Sequence, residues 1–240
     1  MKNAPPLLNS IRCYMTVGFE CGYLPDREAK NLIIDPHLPV TNALFGDLLE
    51  CGFRRSGQHI YRPHCDDCQA CIPVRVPVKQ FSPNRSQRRC WRRNQDLTHT
   101  RAPAEFNREQ FDLYQRYMNS RHGDSGMADS TESQYMEFLS CPGVNTHFYE
   151  FRLRRRLVAV AVTDDLPRGL SAVYTYYDPQ WEERSLGTFA VLWQIHEARR
   201  LGLPWVYLGY WIEACAKMRY KSNFSPLEAY RNSRWSTLES

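Results

Sequence analysis

The chain has 240 residues, of which 42% are hydrophobic and 13% aromatic, a composition that indicates a folded globular protein and excludes a disordered one. Its longest uncharged apolar segments, residues 157–163 and 205–212, are far shorter than the roughly 20 residues of a membrane-spanning helix. The first residues lack the apolar core of a signal peptide, so the sequence predicts a cytoplasmic protein without a membrane partner.

The positive charge of the chain is concentrated in its first part. The net charge is +5, with 15 Lys and Arg against 9 Asp and Glu in residues 1–101, and 16 against 17 in residues 102–240. A basic segment favours a polyanionic partner, although charge alone does not distinguish nucleic acid from other anions. We therefore predict a basic, cysteine-containing N-terminal domain at residues 1–101 and a second domain at residues 102–240.

The first hundred residues predict short elements separated by prolines. Helices are expected at residues 41–51 and 84–96, and strands at residues 53–61 and 72–78. Gly52 is a natural residue to end the first helix. Ser82 and Pro83 form a typical helix start, with a hydroxyl cap followed by proline in the first turn, and they precede the second helix.

The second part of the chain changes its periodicity. Residues 101–106 are predicted to be a linker and residues 107–121 a helix. Three strands, a helix and a further strand are then expected, at residues 148–153, 157–162, 170–177, 185–201 and 205–209. An antiparallel meander followed by a helix and a strand predicts an α+β (α/β-like) fold of the acyltransferase kind.

Five arginines lie close together in the second predicted helix. They are Arg85, Arg88, Arg89, Arg92 and Arg93. Their spacing places them on one face of a helix, where their charges repel one another unless an anion neutralises them. A phosphate backbone does so through bidentate hydrogen bonds and counterion release, so we predict contact with RNA. The alternative is a solvated face or one that is paired with acidic residues elsewhere.

The nine cysteines predict reduced thiols, because their number is odd and no export signal precedes them. Three form a C-x-x-C-x-x-C run beside a histidine, with Cys21 or Cys13 upstream. Thiolates and imidazole bind zinc, and thiolates bind iron–sulfur clusters. The candidate metal ligands are Cys21, His64, Cys65, Cys68 and Cys71. The alternative is a set of small buried thiols that pack a core.

Two further segments can carry chemistry. After the last predicted strand, aromatic and basic residues follow one another, as at a ligand pocket or, alternatively, at an aromatic core edge with surface lysines. Residues 184–189 match most of the R/Q-x-x-G-x-G/A loop with which N-acetyltransferases bind the pyrophosphate of CoA. Phe189 stands where that loop needs glycine or alanine, which argues against a CoA site.

Several long strings of the chain resemble one family. The strings are CGYLPDRE at 21–28, GFRRSG at 52–57, YRPHC at 61–65, FSPNRSQRR at 81–89, SLGT at 185–188 and YLGYWI at 207–212. Together they are similar to the arginyl-tRNA–protein transferases, most closely to the bacterial aspartate/glutamate leucyltransferase branch. Eukaryotic members carry C-G-Y-C where this chain has Leu24 in the last position, and their paired cysteines correspond to His64 and Cys65.

The resemblance implies a C-terminal domain of GCN5-like N-acetyltransferase fold that uses aminoacyl-tRNA in place of acetyl-CoA. It implies that leucine passes from leucyl-tRNA to an N-terminal aspartate or glutamate and marks the acceptor protein for N-end rule degradation. The five clustered arginines would then contact tRNA. No cofactor is required for such a transfer, and a zinc ion or iron–sulfur cluster at the cysteines stays open.

An acidic acceptor needs a fixed cation, and the matched strings offer Arg75, Lys217 and Lys221. The full candidate set for the acceptor or the aminoacyl end is Arg75, Tyr210, Trp211, Lys217, Tyr220 and Lys221. The sequence does not identify a general base. The alternatives are an arginyl transferase, a CoA-dependent N-acetyltransferase and a non-enzymatic zinc-ribbon protein that binds RNA.

Overall fold

An eight-stranded mixed sheet forms the centre of the computed structural model, which describes residues 11–122 and 130–238. The strands are β1 (Cys13–Met15), β2 (Phe19–Glu20), β3 (Glu28–Ala29), β4 (Asn31–Ile34), β5 (Arg54–Ser56), β6 (His59–Pro63), β7 (Ile72–Pro77), β8 (Thr98–Pro103), β9 (Thr146–Leu153), β10 (Arg156–Leu166), β11 (Gly169–Tyr177), β12 (Trp205–Trp211), β13 (Glu228–Arg231) and β14 (Arg234–Thr237). The helices are α1 (Asn42–Glu50), α2 (Arg85–Arg93), α3 (Arg108–His122), α4 (Glu132–Leu139), α5 (Leu186–Arg200) and α6 (Ala216–Arg219). Segments of 3₁₀ helix span Pro179–Arg184 and Tyr220–Phe224.

The large sheet draws strands from both parts of the chain. Its order is β14-β13-β7-β12-β11-β10-β9-β8, and the β11–β12 pair is parallel while its other neighbours are antiparallel. β7 lies between β12 and β13, and the predicted boundary at residue 101 falls within β8. The two predicted segments therefore share one sheet, and the division into two domains stays a prediction.

Helices cover both faces of this sheet. Residues 157–162 of β10 are an unbroken apolar run, and each of them is at most 2% exposed. A strand of this composition predicts cover on both faces. The helices α2 and α5 pack on one face, and α3 and α4 pack on the other. The mixed α/β prediction is thus confirmed.

A smaller antiparallel sheet of order β1-β4-β6-β5 packs against α1. The Thr41 hydroxyl caps this helix by accepting from the Leu44 amide at 3.2 Å. Gly52 follows the helix with a φ of +82°, and a Cβ there would lie 2.8 Å from Tyr230. The predicted helix and the glycine that ends it are confirmed. Because Tyr207 of β12 belongs to the same apolar cluster, the small sheet is joined to the large one.

Some predicted boundaries were wrong. Asn84, not Ser82, caps α2 by accepting from the Gln87 amide at 2.9 Å, and the helix ends three residues early, at Arg93. The predicted strand at 53–61 is a hairpin of β5 and β6.

Other misses involve edges and ends of the chain. The start of the predicted linker at 101–106 is the end of β8, an exposed edge strand without apolar alternation. The helix α4 and the β13–β14 hairpin were not predicted at all. No helix within residues 11–122 and 130–238 combines the length and apolarity needed to cross a membrane.

Candidate functional site

The two parallel strands of the large sheet separate after three residue pairs. β11 and β12 are paired from Gly169 and Trp205 to Ser171 and Tyr207. Both strands then continue, to residues 177 and 211, without further pairing to each other in the described structure. We call the space between these carboxyl-terminal halves the strand gap. Crevices at the carboxyl ends of parallel strands are common ligand sites.

A bulge in β12 shapes the strand gap. Tyr207 lies opposite Arg75 of β7 and Gly209 opposite Val74, which leaves Leu208 without a partner. Gly209 has a φ of +80°, a left-handed conformation that favours glycine. A Cβ at this position would lie 3.2 Å from nitrogens of the Arg54 guanidinium, so glycine also makes room for that group.

Arg54 of β5 reaches between the two strands. Its Nη1 donates to Ser171 Oγ at 3.1 Å and its Nη2 to the Ala172 carbonyl at 2.7 Å. Both acceptors are neutral, and no carboxylate pairs with Arg54 among the described residues. Burial holds the pKa of Arg54 below its ordinary value. Arg54 therefore carries a positive charge in a half-buried position without a counter-ion.

Lys221, one of the predicted residues, lies beside it. The ammonium group is buried and donates to the Tyr210 carbonyl of β12. Burial, and secondarily the charge of Arg54, lowers the pKa of Lys221 to about 7. Within the described structure Lys221 also lacks a carboxylate partner, so the strand gap contains two adjacent basic groups without a counter-ion.

The predicted aromatic residues take different roles around this pair. The Tyr210 hydroxyl lies 3.2 and 3.1 Å from the carbonyl oxygens of Gly52 and Tyr61, and so joins β12 to the small sheet. The Trp211 indole N–H is buried without a partner among the described residues. Tyr220, which precedes Lys221, is 46% exposed. Tyr220 is thus the predicted aromatic residue with exposed surface left for a ligand, whereas Trp211 packs against the core of the large sheet.

Arg75 is held elsewhere. Its Nη1 lies 2.7 Å from Glu50 and its Nε 2.6 Å from Glu228. The guanidinium also stacks on two indoles, with its central carbon 3.8 Å from the ring centroid of Trp205 and 4.2 Å from that of Trp235. The structure does not bring Arg75 together with Lys221. Lys217 is exposed on α6, four residues before Lys221.

The five arginines of α2 form an exposed basic face. None of them pairs with a carboxylate in the described part of the chain, so the acid-paired alternative is wrong there. We call this element the basic helix. Arg88 and Arg92 also border a pocket of about 430 Å³ that contains Trp91 and His196.

The basic helix is attached to the strand gap. Gln87 Nε2 donates to the Asn223 carbonyl at 2.8 Å, and Phe81 packs on Phe224 with ring centroids 6.4 Å apart. Both contacts reach the 3₁₀ segment that carries Lys221. The buried side of the basic helix, opposite its arginines, therefore packs against the segment that carries Lys221.

The candidate metal ligands line one cavity. Its volume is about 1510 Å³, and its walls include Cys21, His64, Cys65, Cys68 and Cys71. Burial raises the pKa of Cys71 to about 12, so that thiol is protonated at neutral pH. No group of three or more His, Cys, Asp or Glu in residues 11–122 and 130–238 is placed to hold a metal ion. These donors line one cavity but are not arranged as metal ligands, and metal binding stays a prediction.

Phe189 occupies the loop that resembles a CoA site. It is 5% exposed and packs against Trp91 and Phe151, with ring centroids 5.5 and 5.3 Å away. Arg184, at the start of the loop, pairs with both oxygens of Asp96 at 2.8 and 3.0 Å. The aromatic side chain is part of the core, and the arginine already has a carboxylate partner.

Sequence reasoning missed Arg54. The signal was the pair Arg54-Arg55 in a predicted strand, because neighbouring side chains of a strand point to opposite faces. Two such arginines cannot both lie on one solvent-exposed face. Arg55 is buried against Asp164, whose two carboxylate oxygens are 2.6 and 2.8 Å from it.

Comparison with known proteins identifies the family. The model of "Arginine-tRNA-protein transferase, N terminus" matches residues 19–89, and that of "Arginine-tRNA-protein transferase, C terminus" matches residues 109–231. The chain belongs to the arginine-tRNA–protein transferase family. It is therefore an aminoacyltransferase, which uses an aminoacyl-tRNA donor and a protein acceptor. The CoA-dependent and non-enzymatic alternatives are set aside.

Curated relatives match almost the whole chain. The aspartate/glutamate leucyltransferase of Pseudomonas fluorescens is 52% identical over 231 residues, 96% of this chain and 98% of the relative. The protein of the same name from Alcanivorax borkumensis is 50% identical, over 95% of this chain and 94% of its own. Among solved structures, FemX is similar with a TM-score of 0.47 and 10% identity, over 84% of this chain and 80% of that one.

Proposed function

We propose that this protein transfers leucine from leucyl-tRNA to the N-terminal aspartate or glutamate of acceptor proteins, and so marks them for N-end rule degradation. The observation that carries the proposal is the name of the relatives, which are about half identical to this chain along nearly its full length. The strand gap and its two cationic groups support it, because an acidic N-terminal residue needs a fixed positive charge.

The reaction is the aminolysis of an ester. The neutral α-amino group of the acceptor attacks the carbonyl carbon of the aminoacyl ester and forms an amide bond. The bond to the ribose oxygen of tRNA breaks, and the amine proton finally resides on that oxygen. No covalent enzyme intermediate is required, so the protein acts chiefly by positioning both substrates and stabilising the oxyanion.

The donor is proposed to lie along the basic helix. Arg85, Arg88, Arg89, Arg92 and Arg93 would contact tRNA phosphates. Trp91 beside Arg88 and Arg92 offers a stacking surface for an exposed base. The contacts of Gln87 and Phe81 with the 3₁₀ segment then direct the aminoacyl end toward the strand gap.

The aminoacyl end and the acceptor are proposed to meet at the strand gap. Tyr210, Trp211 and Tyr220 would surround this place, and the half-exposed ring of Tyr220 offers a surface to a substrate. Lys221 and Lys217 supply positive charge for an acidic acceptor. Arg75 serves it less readily, because an acceptor carboxylate would have to compete with Glu50 and Glu228. The GCN5-like character of the sheet remains part of this proposal.

A panel of labelled aminoacyl-tRNAs tests the function. Purified protein is incubated with leucyl-tRNA or arginyl-tRNA and with peptides that begin with aspartate, glutamate or lysine. We expect leucyl product with the two acidic peptides and none with lysine. Transfer of arginine instead of leucine would favour the second candidate, an arginyl transferase, which the name of the family supports. Product from the lysine peptide alone would contradict the proposed acceptor.

A further inference from the structure

We propose that Arg54 binds the side-chain carboxylate of the acceptor's N-terminal aspartate or glutamate, with Lys221 as the second cationic group of the same site. The inference rests on the proposed function and deepens it by naming the residue that selects the acceptor. The structural basis is the position of the Arg54 guanidinium between β11 and β12 and the absence of a carboxylate partner for it among the described residues.

Two adjacent arginines of β5 differ in their partners. Arg55 points to one side of β5, where Asp164 neutralises it inside the protein. Arg54 points to the other side and, among the described residues, hydrogen-bonds to a hydroxyl and a carbonyl. A half-buried charge without a counter-ion is unfavourable, and an anion that enters the strand gap removes that penalty.

Arg54 has hydrogen-bond donors that the described residues do not use. A guanidinium has five N–H donors, and two of them are used on Ser171 and Ala172. Three donors are left in the described structure, enough for the two parallel bonds that a carboxylate accepts. Gly209 keeps this side of the guanidinium free of a side chain, because a Cβ there would lie 3.2 Å away.

The different exposure of Arg54 and of the basic helix favours a carboxylate over a phosphate as the anion at Arg54. The five arginines of the basic helix are exposed and can reach the tRNA backbone from the surface. Arg54 is half-buried between two strands, and Lys221 beside it is 6% exposed. The fork of a guanidinium matches the two oxygens of a planar carboxylate.

The test is a comparison of charged and neutral acceptors of the same size. Transfer of leucine is measured with peptides that begin with Asp or Asn, and Glu or Gln, for the wild type, Arg54→Gln and Arg54→Lys. We expect Arg54→Gln to lower the Asp-to-Asn ratio of kcat/KM by about 10- to 100-fold, the effect of losing hydrogen bonds to a charged group. The Lys variant keeps the charge and should recover part of the ratio. The affinity for leucyl-tRNA should not change.

The control is Arg62→Gln. Arg62 is a half-buried arginine of the same hairpin, but it donates to the Cys51 carbonyl and borders the cysteine cavity. The Asp-to-Asn ratio of kcat/KM for Arg62→Gln should equal that of the wild type. Thermal unfolding of all variants verifies that they fold, and the Lys variant covers the case in which the Gln variant does not.

Three results would contradict the assignment. An unchanged ratio in Arg54→Gln, with both acceptors slowed alike, would show a structural role. Weakened leucyl-tRNA binding at an unchanged ratio would show that the anion is a tRNA phosphate. An equal loss in Arg62→Gln would show that the effect is not specific to the strand gap. If the wild type itself transfers no leucine to acidic peptides, the proposed function fails and the assignment fails with it.

Discussion

Two sites beside β12 differ in how their buried positive charge is compensated. At one end of β12, Arg75 lies between two indoles and contacts two carboxylates, 2.7 and 2.6 Å away. Next to Gly209 of the same strand, Arg54 and Lys221 contact neutral acceptors and no carboxylate among the described residues. At the first site, carboxylates of the protein neutralise the positive charge without a ligand. At the second site, the positive charge is neutralised when an anion binds.

This difference suggests how to separate structural from functional charges. A buried cation with its own carboxylates stabilises the fold, and removing it leaves those carboxylates unpaired. A buried cation without them contributes little to stability or reduces it, and its value lies in what it binds. Substituting each cation and measuring the free energy of unfolding tests this distinction.

Arg75→Met should be the most destabilising of these substitutions. It would leave Glu50 and Glu228 close together and without their cation, so we expect the free energy of unfolding to fall by about 3–5 kcal/mol. Arg54→Met is the matched variant and should lower it by no more than about 1–2 kcal/mol, the cost of its unpaired acceptors. Urea unfolding at neutral pH measures both. Equal losses would remove the distinction between the two sites.

Lys221→Met should change how stability depends on pH. The pKa of Lys221 is about 7 in the fold, against an ordinary value of 10.5, so between these values the unfolded chain binds more protons. The burial penalty is therefore complete below pH 7 and fades as the pH rises toward 10.5. We expect the stability of the wild type relative to Lys221→Met to rise by about 2–4 kcal/mol over this range.

Urea unfolding of both proteins at several pH values between 6 and 10 checks this prediction. Taking the difference between the two cancels the titration of the tyrosines and cysteines that both share. Lys217→Met, which changes an exposed lysine nearby, should show no such dependence. Parallel stability curves for the wild type and Lys221→Met would mean that Lys221 is not buried as a weakened base.

The arginines of the basic helix are also unpaired, but they lie at the surface. An unpaired charge there has a low free-energy cost because water solvates it. Arg88→Ala combined with Arg92→Ala should weaken binding of leucyl-tRNA and reduce the slope of log affinity against log salt by about 2. Arg231→Ala combined with Arg234→Ala removes the same charge from the exposed β13–β14 hairpin and serves as the control. A wild-type slope in the first variant would place the tRNA elsewhere.

Local pattern predicted what depends on neighbours in the chain. The end of α1 at Gly52 and the one-sided arginines of α2 both follow from residues within about two helical turns. The strand at residues 157–162 was predicted for the same reason, because its apolar run is a local pattern; β10 contains it.

The strand gap depends on distant parts of the chain and could not be predicted. Arg54 acquires its position from Ser171 and Ala172, which lie more than a hundred residues later. The early end of the β11–β12 pairing has no local signature, and neither does the insertion of β7 beside β12. The strings that resembled a family therefore predicted the reaction before they could indicate where in the fold it takes place.

The smallest expected effect concerns Lys217, which the sequence placed in the acceptor site and the structure places on the exposed surface of α6. If it attracts the acidic acceptor only through solvent, Lys217→Ala should raise KM for the Asp peptide about twofold to fivefold, and added salt should erase the difference. The kcat value should stay unchanged, since Lys217 does not contact the strand gap residues Arg54 and Lys221 in the described structure.

Acceptor kinetics at 50 and 300 mM salt measure this effect of Lys217→Ala, with the Asn peptide as the uncharged reference. A large, salt-independent loss for the Asp peptide would instead give Lys217 direct contact with the acceptor carboxylate and reduce the part assigned to Arg54.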